Sequence, residues 1–468
     1  MKSYKKLGKN ILLLTIGSFA SKVLTFLLVP FYTAILTTAE YGTSDLITTS
    51  VNLVLPVFTV LVYESVMRYA LDNRDGKQVF SIGLYITIFG CIILTCFSPL
   101  LLLFKDIKNY IWLFVLYYST LAIYNLVLQF VKGIEKVVIY SFAGVLNTLI
   151  YIGCNVLFLL VLDMRIEGYL LAAIIAHMVS AIFVFIVAKL YKFILPFKMI
   201  NKNQGKEMLR YSAPMIPNAI SWWISNSSDK YILTLFCGVA VTGIYSVAYK
   251  IPSILTMLVS IFISAWQISS VENFGSDESK KFYEDIYYKY ESLLFLVAAF
   301  LIAFTKIFAE LLFSNDFFEA WHFVPVLIYA FVFNSLASYY GSIYTAAKKT
   351  KMLFYSTIIG AGMNIVLNFS LIIPFGAQGA AIATAISYFV VWLVRLIDSK
   401  KILKFKVHWK RDLVAHCVLI VLIVCLCIDF NPYYIVSIVG TLIMCVICRK
   451  TIKEVCILVA KKMNIIKR

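Results

Sequence analysis

The chain alternates between long apolar segments and short polar ones from residue 11 to residue 449. An α-helix needs about 20 apolar residues to cross the hydrocarbon core of a bilayer, and each long segment approaches or exceeds that length. The segments comprise residues 11–36, 43–67, 78–104, 110–131, 138–162, 168–190, 211–238, 243–269, 290–313, 321–345, 352–373, 378–397, 412–429 and 432–449. The pattern predicts an all-α polytopic membrane protein with about 14 transmembrane helices.

Composition agrees with a membrane protein, and the distribution of charge predicts its orientation. Hydrophobic residues make up 62% of the chain, charged residues make up 14%, and the formal net charge is +18. The loops and chain ends on one side of the predicted membrane carry 35 Lys and Arg residues, and the other side carries 3. Because cytoplasmic loops retain Lys and Arg, we expect that side and both termini to be cytoplasmic. The basic charge therefore needs no nucleic-acid partner.

An internal repeat relates the two halves of the chain. At an offset of 201 residues Gly42 falls on Gly243, and at an offset of 215 Tyr140 falls on Tyr355. Each repeat holds six predicted helices, an even number, so we expect parallel repeats around a central cleft, as in transporters that work by alternating access. Two pseudo-symmetric six-helix lobes and two C-terminal helices are thus predicted, as an N-lobe at 1–198, a C-lobe at 199–405 and a last segment at 406–468.

A stripe of polar residues recurs at the same register in both repeats. Its spacings of three and four residues place the members on one face of a helix. The stripe on helix 2 comprises Asp45, Thr49, Asn52, Pro56, Thr59 and Tyr63, and that on helix 8 comprises Ser246, Lys250, Ser253, Met257, Ser260 and Ser264. Polar groups at membrane depth indicate either a wet cavity or hydrogen-bonded helix packing. Lys250 favours the cavity, because its ammonium needs water or an anion.

Further cations lie within or at the ends of the predicted spans. Lys22 lies near the middle of helix 1, where a charge costs a few kcal/mol, and Lys230 lies in helix 7. A local ion pair of Lys230 with Asp229 is the alternative to a role in binding. Arg68 at the cytoplasmic end of helix 2 could bind phosphate through its forked guanidinium, or could pair with Glu64 one turn away.

Chemistry other than ion binding has little support in the sequence. Asp45 and His177 are candidates for coupling to H⁺ or Na⁺, although a lone buried histidine is more often a core residue. The ten cysteines lie in or beside apolar runs, and a Walker A motif, a GxSxG motif and an HExxH motif are all lacking. We therefore expect no enzyme activity, no metal and no cofactor.

Two local features concern the shape of the helices. Proline bends or breaks a helix, and we expect interruptions of helices 1, 2, 7 and 8 at Pro30, Pro56, Pro214, Pro217 and Pro252. The stretch from Ser279 to Tyr290 mixes Lys, Glu and aromatic residues, and we expect a separate helix lying at the membrane surface.

Several segments resemble the Wzx-type flippases, the polysaccharide-biosynthesis branch of the superfamily that also contains the MATE exporters and the lipid II flippases. They are KNILLLTIGSFASKVLTFLLVPFYTAILTTAEYG, ESVMRYALDN, DKYILTLFCGVAVTGIYSVAYKI and FGAQGAAIATAISY. The resemblance covers essentially the whole chain. It implies a twelve-helix core with two extra helices, in a bacterial cytoplasmic membrane.

The resemblance also implies a substrate and a site. The substrate would be an oligosaccharide on undecaprenyl diphosphate, destined for O-antigen, capsule or exopolysaccharide. The carrier diphosphate would bind a cationic cavity to which Lys22, Lys230, Lys250 and Arg68 contribute. A polysaccharide polymerase and glycosyltransferases would be the candidate protein partners.

Other functions remain open at this stage. A MATE-type cation or drug antiporter would need embedded carboxylates, for which only Asp45 and Asp229 qualify, and lysines outnumber them on the same faces. A lipid II-type flippase is a further alternative. A scaffold without transport activity does not explain the repeated polar stripes.

Overall fold

The computed structural model describes residues 21–72, 75–275, 279–349, 351–428, 432–454 and 456–457. Within these ranges the chain is helical and contains no β-strand, which confirms the predicted all-α class. Eight helices of the described part are long and apolar enough to cross a membrane, and a bent pair of helices adds a ninth span. The total of fourteen stays a prediction.

The chain divides into two compact units, Met1–Thr234 with Gly238–Gly243, and Leu235–Cys237 with Ile244–Arg468. The lobe boundaries at residues 198 and 405 stay predictions. The helices that begin in the first unit are α1 Ser21–Ile35, α2 Thr38–Phe58, α3 Val62–Leu71, α4 Gly76–Phe97, α5 Ile111–Gly133, α6 Val137–Asn155, α7 Arg165–Val187, α8 Lys202–Ser212, α9 Ile216–Cys237 and α10 Val239–Ala248.

The second unit holds the end of α10 and the remaining helices. These are α11 Lys250–Asn273, α12 Ser279–Ala303, α13 Thr305–Leu312, α14 Val324–Ala346, α15 Lys351–Ser399, α16 Trp409–Cys427 and α17 Tyr433–Ile447. Short 3₁₀ segments lie at Ser98–Leu103, Lys108–Tyr110, Leu190–Phe193, Phe197–Met199, Ala213–Met215 and Asn315–His322, and a π-helical turn lies at Val156–Val161.

The predicted second helix is broken. Helices α2 and α3 meet at an angle of 59°, and the connecting residues Val60 and Leu61 have φ values of 51° and 52°. Such left-handed conformations cost roughly 1–2 kcal/mol for each residue with a side chain. The Thr59 hydroxyl stabilises the break, because it donates to the Leu55 carbonyl at 2.6 Å and accepts from the Leu61 amide at 3.3 Å.

The prolines coincide with interruptions, as predicted. Pro56 lies two residues before the end of α2, and Pro30 follows a turn at Leu28 within α1. Pro214 lies in the 3₁₀ turn that precedes α9, and Pro252 follows the junction between α10 and α11. Proline lacks an amide hydrogen, so it is tolerated in the first turn of a helix and disrupts the turn before it.

The prediction of a separate surface helix at Ser279–Tyr290 is wrong, because α12 continues through this stretch to Ala303. Tyr283, Tyr287 and Tyr290 are buried, and the hydroxyls of Tyr283 and Tyr290 donate to backbone carbonyls. The Tyr283 hydroxyl donates to Ser270 at 2.7 Å, and the Tyr290 hydroxyl donates to Ser335, in α14, at 2.9 Å. The aromatic face that suggested membrane contact packs inside the unit instead.

Two glycines allow α2 and the start of α10 to approach closely within the first unit. A Cβ atom on Gly243 would lie 1.9 Å from the Thr38 carbonyl oxygen, and one on Gly42 would lie 2.2 Å from that of Val239. Gly42 and Gly243 are also partners in the sequence repeat. Only glycine fits at both positions without separation of the backbones.

Candidate functional site

The first unit contains an ion pair between α2 and α9. The Nζ atom of Lys230 lies 2.7 Å from Oδ2 of Asp45, and the two side chains are 13% and 18% exposed. The Lys230 backbone amide also donates to the Asp229 carboxylate at 2.9 Å. The structure thus joins two predicted site residues that are 185 positions apart in sequence. Burial strengthens the electrostatic attraction between the two charges. It also costs free energy, because both charges lose their hydration water.

Aromatic side chains of α9 hold this ion pair in place. The Trp223 indole N–H donates to the Thr49 carbonyl at 2.9 Å. The Tyr231 hydroxyl lies 2.5 Å from the Ser50 hydroxyl, and the rings of Trp223 and Tyr231 are 5.2 Å apart. The polar pattern of the sequence did not single out Tyr231. Its position depends on contacts that form only in the fold.

The stripe of helix 2 was predicted to place five polar residues and Pro56 on one continuous face, and this prediction is wrong beyond Phe58. Asp45, Thr49 and Asn52 lie on the unbroken helix α2, where Asn52 is exposed and Thr49 is buried. Thr59 is fully buried in the break. Tyr63 follows the bend and packs against the apolar core of the unit. The helical spacing rule assumed a continuous backbone, and the left-handed residues remove that assumption.

Lys22 and Arg68 are both exposed, unlike the two members of the ion pair. Lys22 is exposed on α1. Arg68 is exposed near the end of α3, and its Nη1 atom lies 3.4 Å from Oδ1 of Asp72. The alternative pairing of Arg68 with Glu64 is therefore replaced by a pairing one turn further along the chain. An exposed pair of this kind contributes about 0–1 kcal/mol, so Arg68 can exchange partners easily.

The predicted stripe of helix 8 lies in the second unit and is divided between α10 and α11. Ser246 is buried in α10, and Lys250 is the first residue of α11 and is partly buried. The Ser253 hydroxyl donates to the Lys250 carbonyl at 2.5 Å, and that of Ser260 donates to the Met257 carbonyl at 2.7 Å. These hydroxyls satisfy part of their hydrogen bonding locally, as serine often does in helices.

His177 lies in an aromatic setting on α7. Its ring stacks against Tyr117 at 5.5 Å and against Tyr124 at 5.3 Å. Such stacking is typical of a core residue, and its role in ion coupling stays a prediction. In the part of the chain that the structure describes, no group of three or more His, Cys, Asp and Glu side chains could hold a metal ion.

Comparisons with known proteins assign the chain to a family. Residues 7–267 match the family described as "Polysaccharide biosynthesis protein", and residues 214–370 match the MatE family. The Haloferax volcanii protein named "Probable low-salt glycan biosynthesis flippase Agl15" is 24% identical over 192 residues. That alignment covers 40% of this chain and 40% of the relative, so it spans less than half of either protein.

Solved structures share the fold. The lipid II flippase MurJ in an inward closed conformation has a TM-score of 0.73 at 13% identity, with 94% of this chain and 100% of that chain covered. A MOP superfamily transporter from Pyrococcus furiosus has a TM-score of 0.59 at 14% identity, with coverage of 84% and 95%. These likenesses show that the chain shares its fold with membrane transporters of known structure. Because the family match extends over more than half of the chain, this protein belongs to the polysaccharide biosynthesis protein family.

Proposed function

We propose that the protein is a flippase that moves an oligosaccharide on undecaprenyl diphosphate from the cytoplasmic to the outer leaflet by alternating access. Family membership and the flippases among its relatives support the class of function. The proposal includes a bacterial cytoplasmic membrane, cytoplasmic termini, and a glycan destined for O-antigen, capsule or exopolysaccharide. Glycosyltransferases that build this glycan and a polymerase that uses it are the proposed partners.

The ion pair between Lys230 and Asp45 carries the proposal. A diphosphate is a stronger partner for an ammonium group than one carboxylate, because it offers more charge and more acceptor oxygens. On this proposal the diphosphate takes Lys230 from Asp45, and the exposed Lys22 adds a second cation in the first unit. The polar groups of the stripes, including Asn52, Ser253 and Ser260, provide hydrogen bonds to sugars. Lys250 and Arg68 are further proposed contacts for the anion.

The exchange of partners would also couple anion binding to a cation. Once Lys230 leaves, Asp45 is a mostly buried carboxylate without its lysine, and such a charge costs several kcal/mol. Uptake of H⁺ or Na⁺ by Asp45 removes that cost. Substrate binding and cation binding then favour the same protein state, which a transport cycle driven by ions requires.

A MATE-type antiporter is the second candidate, because residues 214–370 match the MatE family. Such a protein would release a cationic drug in exchange for a cation, so its carboxylate must be available to the drug. Asp45 already binds the ammonium group of Lys230 at 2.7 Å. A cationic drug would have to displace a cation that is tethered to the protein, which disfavours this candidate.

Reconstituted protein tests the proposal through flipping of a fluorescent undecaprenyl-diphosphate oligosaccharide in liposomes. Loss of a charge-assisted hydrogen bond of about 1.5–3 kcal/mol predicts that Lys230→Ala lowers substrate affinity roughly ten- to hundredfold. Lys230→Arg should retain most of the affinity, and Lys105→Ala, which removes an exposed lysine, should match the wild type.

Asp45→Asn distinguishes binding of the diphosphate from coupling to H⁺ or Na⁺. The asparagine side chain is neutral and no longer competes with the diphosphate for Lys230, so affinity for the diphosphate should rise. Stimulation of flipping by a pH or Na⁺ gradient should be lost. Unchanged affinity in both Lys230→Ala and Asp45→Asn would show that the anion binds elsewhere. Drug export without flipping would replace the flippase by the antiporter.

A further inference from the structure

The second unit contains a buried cluster of two carboxyl groups and one guanidinium, outside all the residues discussed for transport. Arg411 contacts both Glu291 of α12 and its own neighbour Asp412, whose Oδ1 atom lies 2.6 Å from the Nη2 atom of Arg411. Glu291 and Asp412 are 2% and 4% exposed. The cluster thus joins the first turn of α16 to the middle of α12.

The hydrogen bonds of this cluster are nearly complete. Glu291 accepts from the Tyr287 hydroxyl at 3.0 Å and from Arg411. The Nη1 atom of Arg411 donates to the Ser292 hydroxyl at 3.1 Å, and the guanidinium lies 4.0 Å from the centre of the Tyr288 ring. The exception is the Oδ2 atom of Asp412, which is buried and accepts no hydrogen bond from any described residue.

The charges of the cluster do not balance. Two carboxylates against one guanidinium leave one negative charge in a place with almost no access to water, and an isolated buried charge is very costly. A proton on one carboxyl group removes this charge. The same proton supplies a donor, because a protonated carboxyl group donates one hydrogen bond while a carboxylate only accepts. Glu291 and Asp412 both contact the Nη2 atom of Arg411, so their carboxyl groups lie side by side and one proton can serve both.

Among the residues that the structure describes, Arg411 is the only cation that forms an ion pair with these carboxyl groups. The titratable and charged groups that face the cluster come from α12, from α14, from the residue before α16 and from the end of α17; they are Tyr287, Tyr288, Tyr340, His408, Cys448 and Lys450. Lys450 lies over the Tyr288 ring at 5.6 Å rather than at a carboxyl group. The other members are neutral in their ordinary state or are weak bases.

A path for the proton is present beside the cluster. A polar cavity of about 350 Å³ is lined by Glu284, Asp285, Tyr288, Lys289, His408, Lys450 and Glu454. Tyr288 separates this cavity from Arg411, and His408 lies in its wall next to the start of α16. Water that enters the cavity can therefore bring a proton as far as Tyr288, whose ring contacts Arg411.

We propose that Glu291 and Asp412 form a proton-binding site of the second unit, in which one proton is shared between two carboxyl groups held by Arg411. The proton belongs to the pair rather than to either residue. The positive end of α16, where Asp412 lies in the first turn, favours the ionised form of Asp412 and so favours the proton on the Glu291 side. The site does not depend on the proposed transport function.

Infrared difference spectroscopy of the full-length protein in lipid nanodiscs tests this site through the C=O stretch of a protonated carboxyl group. The wild type should show this band at neutral pH. Glu291→Gln and Asp412→Asn should each abolish it, because either change leaves one carboxylate balanced by Arg411, and the double variant should lose no more than the single variants do.

Glu454→Gln is the matched control. The Glu454 side chain is 39% exposed, and the hydrogen bond from Lys289 lowers the pKa of its carboxyl group, so it is ionised at neutral pH and this variant should retain the band. A band unchanged in both single variants would overturn the proposal. Loss of the wild-type band when Na⁺ is raised at constant pH would also overturn it, because a sodium ion would then balance the charge. The infrared band does not depend on transport, so it is expected even if the protein flips no lipid-linked oligosaccharide.

Discussion

Substitution of Gly243 by alanine tests how closely α2 and α10 approach each other. The added Cβ would lie 1.9 Å from the Thr38 carbonyl oxygen, which is part of the backbone and cannot rotate away. Separation of the helices by about 1 Å is then needed, and overpacking of this kind costs about 1–3 kcal/mol, here near the upper end. Alanine in a helix recovers about 1 kcal/mol relative to glycine. The expected net loss is about 2 kcal/mol.

Thermal unfolding of the purified protein in detergent measures this loss. A change of 1 kcal/mol shifts the midpoint by roughly 2–4 °C in domains of about 200 residues, so Gly243→Ala should unfold roughly 4–8 °C below the wild type. Gly42→Ala should act in the same direction, because its Cβ would lie 2.2 Å from the Val239 carbonyl oxygen.

The same substitution at Gly362 supplies a control of opposite sign. This glycine lies in α15 and is exposed, and a Cβ there would meet no atom within 4 Å. Gly362→Ala should therefore stabilise the protein by about 0.5–1 kcal/mol. An unfolding midpoint of Gly243→Ala equal to or above that of the wild type would refute the close approach of the two helices.

Two further predictions concern stability, each measured by the same unfolding assay. Thr37→Ala should cost about 1 kcal/mol, because the Thr37 hydroxyl accepts from the Glu40 amide at 3.2 Å and so caps α2; no change would show that the cap contributes little. Tyr339→Phe should cost about 1–2 kcal/mol, because the buried hydroxyl donates to the Tyr283 carbonyl at 2.7 Å. Tyr434→Phe, at a position that is 61% exposed, should have almost no effect, and an equal effect of both changes would contradict this reasoning.

The positions of helices were largely predictable from the sequence, because apolar runs and prolines act locally. The two predicted spans at 352–373 and 378–397 are the two arms of α15, which bends at Gly376 with φ of 54°. The break at the left-handed residues Val60 and Leu61 was not predictable in this way, because neither residue is a glycine or a proline. A β-branched residue in this conformation is unfavourable on its own, and only packing and the Thr59 hydroxyl stabilise it there.

Partners of charged residues were much less predictable than their positions. The spacing of polar residues correctly placed Asp45 and Thr49 on one helix, but an ion pair across 185 residues depends on how helices are arranged. The cluster at Glu291 was missed for a related reason. Glu291 lies just after a stretch that looked like a surface helix, and Arg411 looked like one of many cytoplasmic basic residues.

The ion pair changes how a cationic site in this protein should be understood. A count of lysines suggested an open positive cavity, yet Lys230 already has a carboxylate partner at 2.7 Å. A neutral or singly charged ligand gains little by breaking that pair, because the cost of separating a mostly buried Asp45 from its ammonium partner remains. A diphosphate together with a proton or sodium ion for Asp45 removes the cost. On the proposed function, the pair therefore favours a lipid diphosphate over singly charged lipid phosphates, and it does so through competition by Asp45 rather than through an excess of positive charge.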